Sequence, residues 1–204
     1  MKRTMLHGFF IVLLMSSIIF GACASSISDK TTEVPSGAII TDEQPSFYRN
    51  GRFIGYSDAS DHGYAMAVVT IENDKIVDVI LKEFTELSVE KDFSTYEYTP
   101  SVRAHEELPA MFVAAGNSLV EAISGATASS DRYRQAVERA MKSAEKNPAE
   151  NSYFDGTFQG RSRSDNHGYG IALVTIKDDK IIVVELKEVD ERGEFKDFET
   201  YPHE

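Results

Sequence analysis

The sequence predicts an α+β fold: a small antiparallel sheet covered by helices, followed by a partial second copy of that sheet made of strands only. Three observations carry the prediction. The stretch 48–83 reappears without a gap at 153–188, with 19 identities in 36 aligned positions. Within each copy, apolar β-branched runs are separated by turn residues, the pattern of antiparallel hairpins. Only the first copy continues into helical sequence, where the apolar residues fall on one stripe.

The chain opens with Lys2 and Arg3, an apolar run and a small-residue ending, which together read as a secretory signal over residues 1–22. The run is near the lower length limit for a spanning helix, so an uncleaved anchor is the alternative. Cys23 is the one cysteine of the chain, which excludes an intramolecular disulfide. Residues 23–46 carry that cysteine and a stretch rich in Ser, Thr, Pro and acidic residues, the composition of a solvated tether. A first domain follows at 47–146, a linker at 147–152 and the partial second copy at 153–204.

In the first copy, Y-x-x-G-x-F-x-G at 48–55 gives a short strand. A turn at 61–64 (Asp-His-Gly-Tyr), a strand at 67–71, a turn at Asn73-Asp74 and a strand at 76–82 follow. The second copy repeats these at 153–160, 166–169, 172–176, Asp178-Asp179 and 181–187, and the match resumes between KDFSTY at 91–96 and KDFETY at 196–201. A first helix is expected within 101–117, started or broken by Pro109, with Met111, Phe112 and Ala115 toward the core. A second helix is expected to be capped by Ser129 or Ser130, with Asp131 at its positive end. Its stripe is Tyr133, Ala136, Val137, Ala140, Met141 and Ala144.

Composition bounds the partners. Apolar residues make up 42% and charged residues 26%, as in globular proteins. A formal net charge of −12 repels nucleic-acid phosphates and anionic lipid headgroups, which argues against both as partners.

Chemistry concentrates at Ser124-Gly125-Ala126-Thr127, directly before the second helix. By itself this is ordinary loop sequence in front of a helix, with Gly125 permitting an unusual backbone angle. Small side chains and free helix N–H groups also suit a phosphate. The longer stretch from Glu121 through Ile123, Ser124, Gly125, Ala126, Thr127 and Ala128 to Ser129, preceded by Val120 and followed by an amphipathic helix, resembles the flavinylation motif of the FMN-binding domain family. That family includes peripheral subunits of the sodium-pumping NADH:quinone reductase and of the Rnf complex, and two-domain flavinylated lipoproteins of Gram-positive extracellular electron transfer. Glu121 stands where the family usually has aspartate. The resemblance implies that a flavin transferase takes FMN from FAD and esterifies its phosphate to Thr127, with Ser124, Gly125 and Ala126 shaping the turn and Glu121 and Ser129 flanking it. It covers about residues 47–144, and its strand part again 153–201, with Gly51, Phe53 and Gly55 in the opening strand. The His-x-Glu-Thr-Pro-Gly segment of the respiratory subunits is not present; YEYTPS at 96–101 resembles it only in diverged form, and no flavin contacts are carried over to it.

Phe20-Gly21-Ala22-Cys23 resembles a bacterial lipobox, with Phe20 in place of the usual leucine-like residue; the resemblance implies an acylated Cys23 and a mature protein anchored on the outer face of the membrane. An incidental cysteine beside the cleavage site is the other reading. His62 and His167 recur in the two copies and are read as turn residues before ligands. His105 and His203 have no partners at metal-ligand spacing, so no metal site is expected. Phe93, Tyr96 and Tyr98 can stack on an isoalloxazine or pack in the core. No pair of acidic residues reads as a general acid and base.

The function these features imply is electron carriage outside the cytoplasm: covalent FMN at Thr127 takes electrons from a membrane quinone or NADH dehydrogenase system and passes them to an external acceptor. The alternatives are a non-catalytic binding or scaffold lipoprotein without flavin, and a flavin-dependent extracellular reductase. Only one attachment turn serves two sheets, so one flavin is expected.

Overall fold

In the computed structural model the described residues are 46–148 and 152–200, all within one compact unit, Glu43–Glu204. The expectations for the signal segment, Cys23, nearly all of the tether and His203 fall outside the described residues. The elements are β1 (Gly51–Tyr56), β2 (Tyr64–Glu72), β3 (Lys75–Phe84), α1 (Thr99–Ala115), α2 (Thr127–Ala144), β4 (Gly156–Arg161), β5 (Tyr169–Lys177) and β6 (Lys180–Val189). They form two antiparallel three-stranded sheets, β1-β2-β3 and β4-β5-β6, so the fold is α+β. No described helix is long and apolar enough to cross a membrane.

The duplication extends to hydrogen-bond register. Gly51 pairs with Ile71 as Gly156 pairs with Ile176, and both second strands carry an irregularity, at Thr70/Ile71 and Thr175/Ile176. The hairpin turns use two consecutive left-handed residues, Asn73 (φ 50) with Asp74 (φ 61) and Asp178 (φ 49) with Asp179 (φ 58). That backbone matches the twist of the flanking strands, and Asn and Asp tolerate it better than most residues. Asp74 has a second task. Its carboxylate accepts the N–H groups of Phe47 and Tyr48 at 3.0 and 2.7 Å, pinning the chain that leads into β1. These bonds, the Tyr48 N–H foremost, hold its carboxyl below the usual range. Asp179 repeats the device with Ser152 and Tyr153 at 3.1 and 2.8 Å.

The core lies between the first sheet and the two helices. Alternation along β2 sends Ala65, Ala67, Val69 and Ile71 inward, where they meet Val79 and Leu81 of β3. The α2 stripe of Tyr133, Ala136, Val137, Ala140, Met141 and Ala144 is buried against this face, as its periodicity predicts. The helix backbone rests directly on Gly55, where any Cβ would run into Ala136 O and Ala140 N. Arg132 of α2 reaches Glu83 of β3, whose side chain is fully buried and also pairs with Lys91. α1 packs on β3 through Ala104, Leu108 and Phe112.

Three expectations about the helices are corrected. α1 starts at Thr99, with Pro100 in its first turn, and runs through Pro109 to a left-handed Gly116 (φ 66). Pro109 forfeits one backbone bond, but Leu108 and Phe112 on either side are both fully buried, and that burial keeps the helix continuous. The buried face of α1 therefore has Ala104 and Leu108 where Ala115 was expected; Ala115 is exposed and Met111 only half-buried. α2 begins at Thr127, so Ser129 and Ser130 sit in its first turn and neither is the cap. The N-cap position is Ala126, which has no side chain able to cap.

The second sheet is held by its β4 edge and its outer side. Ala59 N–H donates to Thr157 O at 2.7 Å, Gln159 donates to Glu86 O at 2.8 Å, and Tyr169 Oη donates to Leu87 O at 2.9 Å. Arg139 of α2, itself buried, ties the copies together. It donates to Tyr56 O, Asp58 and Asp155 O, and its guanidinium lies 4.9 Å from the centre of the Phe158 ring.

Candidate functional site

The N-termini of α1 and α2 converge, and the Ser124–Thr127 turn is clasped where they meet. Two contacts hold it from the α1 side. Tyr98, the residue before α1, donates its phenol to Gly125 O at 2.8 Å. Pro100 packs so closely that a Cβ on Gly125 would stand 3.2 Å from the Pro100 ring carbons. Gly125 also has φ +82, the left-handed region, so both backbone angle and space require glycine there.

From the α2 side the turn is held by its own helix. Ser130 Oγ donates to Ala126 O at 2.8 Å and accepts the Ile123 N–H at 3.1 Å. The hydroxyl that capping preference would place at the helix start instead bonds backward and fixes the turn. Ala126 N–H donates to Ile123 O at 2.9 Å, closing the turn. Ser129 Oγ lies 3.4 Å from Ser101 Oγ in a buried contact between the first turns of the two helices.

Of the residues singled out from sequence, Ser124, Gly125 and Thr127 are exposed, as is Glu121. Ala126 and Ser129 are buried, so they support the turn from below. Thr127 is the first residue of α2, where helix N–H groups lack intrahelical acceptors. The first turn of α2 contains no acidic residue; Asp131 stands farther along and pairs with Arg134 at 2.8 Å. The positive end of the helix dipole is therefore open to an anion.

The aromatic residues divide by role. Tyr98 belongs to the turn. Phe93 is stacked on His105, with ring centres 4.3 Å apart and planes 16° from parallel, and touches Tyr96 edge-on at 5.4 Å. A groove of about 800 Å³ is lined by Ile80, Lys82, Glu90, Phe93, His105 and Glu106. His105 Nδ1 lies 3.3 Å from Tyr133 Oη, and burial pulls this imidazole below its usual pKa. Burial pushes the Tyr133 phenol far upward, and the neighbouring Glu83 carboxylate adds to the shift. His62 and His167 are exposed turn residues. Among the described residues no cluster of three His, Cys, Asp or Glu side chains can hold a metal ion.

Pro100, Ser101 and Ser130 were not singled out as parts of this site in the sequence reading. The one available signal was the YEYTPS segment, which the fold brings against the turn from 27 residues away.

No protein-family model matches the chain, and no curated protein matches its sequence. Among solved structures, the crystal structure of the CPE2226 protein from Clostridium perfringens is similar over 48% of this chain and 88% of that one, at 23% identity and a TM-score of 0.41.

Proposed function

We propose that the protein is an extracytoplasmic electron carrier, anchored to the membrane through acylated Cys23, with FMN esterified through its phosphate to Thr127. The observation that carries this reading is the exposed Thr127 at the start of α2, behind a Ser-Gly-Ala turn clasped by Tyr98, Pro100 and Ser130. The site fits the group: the threonine is accessible, the residues before it are small, and the helix end is positive without a neutralising carboxylate.

Attachment forms a Thr127 Oγ1–phosphorus bond and breaks the pyrophosphate bond of FAD, with AMP leaving; a flavin transferase supplies the chemistry. Bound flavin takes and releases electrons singly or in pairs, while the protein sets its position and surroundings. The chain's own part is to hold. Tyr98 fixes the Gly125 carbonyl, Ser130 fixes the Ile123–Ala126 turn, and Arg132 with Glu83 fixes the first turns of α2 on the sheet. No residue of this site has to act as acid or base. The donor in this reading is a membrane quinone or NADH dehydrogenase system, and the acceptor lies outside the cell. Covalent attachment suits that location, because a dissociating cofactor would be lost.

A binding or scaffold role without flavin is favoured by one observation, the exposed apolar face of β4–β6, where Val184 and Leu186 are 54% and 74% exposed. Co-expression with a flavin transferase separates the two readings. A flavin that stays with the denatured chain and maps to Thr127 supports the carrier; an unmodified Thr127 leaves only the scaffold.

A further inference from the structure

The turn after the third strand of each copy has the same backbone path but is held in a different way. At Thr85–Val89 and at Asp190–Glu194 the first N–H donates to the fifth carbonyl, at 2.9 and 2.8 Å, and the fourth N–H donates to the first carbonyl, at 2.9 and 3.1 Å. The second turn supports itself. The Asp190 carboxylate accepts the N–H groups of Arg192 and Glu194, both at 2.9 Å, and Gly193 takes the left-handed position with φ 83. In the first turn a neutral hydroxyl, Thr85 Oγ1, stands 3.3 Å from the Leu87 and Val89 nitrogens, and the left-handed position (φ 55) falls to Ser88. Longer bonds to an uncharged acceptor, and a left-handed residue that carries a side chain, make this turn the weaker of the two by itself.

What the first turn lacks, the second copy supplies. Three successive carbonyls of the turn each accept a hydrogen bond from it: Glu86 O from Gln159 Nε2 at 2.8 Å, Leu87 O from Tyr169 Oη at 2.9 Å, and Ser88 O from Arg161 Nη1 at 3.2 Å. Gln159 also donates to Ser88 Oγ at 2.8 Å, and the Arg161 guanidinium lies 3.7 Å from the centre of the Tyr169 ring, so the donors brace one another. Two of these donors have no equivalent in the first sheet, where Ile54 and Tyr56 stand at the matching positions. The gripped turn leads straight into Glu90 and Lys91, which pair with Lys82 and Glu83 at 2.8 and 2.7 Å. Both line the groove that also holds Phe93 and His105.

We propose that the second copy is an intramolecular clamp: Gln159, Arg161 and Tyr169 hold the Glu86–Ser88 turn of the first copy in its left-handed shape, and through it the Glu90–Lys91 wall of the groove. The copy without an attachment turn thus has a task of its own, carried by its outer face and independent of what Thr127 bears. The two sides of the contact differ between the copies in matching ways. The turn without aspartate and glycine is the one gripped, and the sheet with glutamine and arginine is the one that grips. Arg139, bonded to Asp58 and to Asp155 O, and the Ala59 N–H on Thr157 O seat the second copy separately, so the three donors are free to serve the turn.

The test is amide hydrogen exchange on the full chain, with residues 191–196 as the internal reference. In a Gln159→Ala, Arg161→Ala, Tyr169→Phe triple variant, exchange at Ser88, Val89 and Lys91 is expected to rise about tenfold or more, with 191–196 and β2 unchanged. Adding Thr85→Asp and Ser88→Gly gives the first turn the second turn's own support, and is expected to bring exchange back to within about threefold of the parent. Should the triple variant not fold, Gln159→Ala alone removes two of the four bonds and is expected to raise exchange about threefold at the same amides. Unchanged exchange at 86–91 overturns the proposal. So does an equal rise at 191–196, which marks general loosening, or a failure of Thr85→Asp with Ser88→Gly to restore protection.

Discussion

The two copies of the sheet share strand register, bulge position and Asp-held hairpin turn, yet one face is core and the other is surface. Val79 and Leu81 are 5% and 3% exposed; their counterparts Val184 and Leu186 are 54% and 74% exposed. Sheet geometry in this chain is thus encoded locally, by β-branched strands and two-residue turns that work with or without a cover. What the helices add is burial, and with it the site, since the Ser124–Thr127 turn exists only where α1 and α2 meet. Among the described residues, the first sheet is covered by two helices, and the second meets a helix only through Arg139 of α2.

That comparison can be broken most directly at the paired glycines. Gly55→Val drives a branched side chain into the backbone of α2 and is expected to lift the helix off the sheet, a cost beyond the ~1–3 kcal/mol usual for overpacking. Gly160→Val is expected to be neutral. Denaturant midpoints of the two variants decide it, and equal effects would mean that the two faces are not different environments.

The paired glutamates come next. Glu83→Gln leaves Arg132 and Lys91, both largely covered, without their carboxylate, and about 3–5 kcal/mol of stability is expected to go. Glu188→Gln removes a carboxylate that is half-exposed, though its partner Lys196 is largely covered, and is expected to cost less than Glu83→Gln. A similar cost at both positions would show that the buried network does not anchor α2.

The smallest effect is a pH response confined to the first copy. Burial lowers the His105 imidazole from its ordinary 6.5, against an upward pull from Glu106, Glu83 and Glu90. The unfolded chain therefore binds that proton more readily than the folded one. Stability is full above about 6.5 and declines as the pH falls below it toward the folded value. Unfolding midpoints near neutral and mildly acid pH, compared with those of His105→Phe, read the contribution. An unchanged acid response in the variant would assign the loss to other groups.

Much of this architecture was legible in the sequence because it is periodic. The α2 stripe, the alternation in β2 and the Asn73-Asp74 and Asp178-Asp179 turns all follow from residue spacing. The helix starts were not legible, for a physical reason. Capping preference favours Ser129 or Ser130, but here Ser130 bonds back to Ala126 and Ile123, so α2 begins earlier on a residue with no capping side chain. Pro109 reads as a helix breaker in isolation, yet buried Leu108 and Phe112 carry α1 through it. The clasp of Tyr98 and Pro100 on Gly125 joins residues too far apart for any local pattern to reveal. The Thr127 turn itself stood out through its small residues and the resemblance of the stretch around them to a flavinylation motif.

The central claim is that the first copy carries one flavin at Thr127 and the second copy carries none. Intact mass under denaturing conditions, after co-expression with a flavin transferase, tests it most directly. The expected result is an increase of one FMN, mapped to Thr127 by peptide analysis and absent from a Thr127→Ala chain that melts like the parent. An unmodified chain, a flavin at another residue, or two flavins would contradict it.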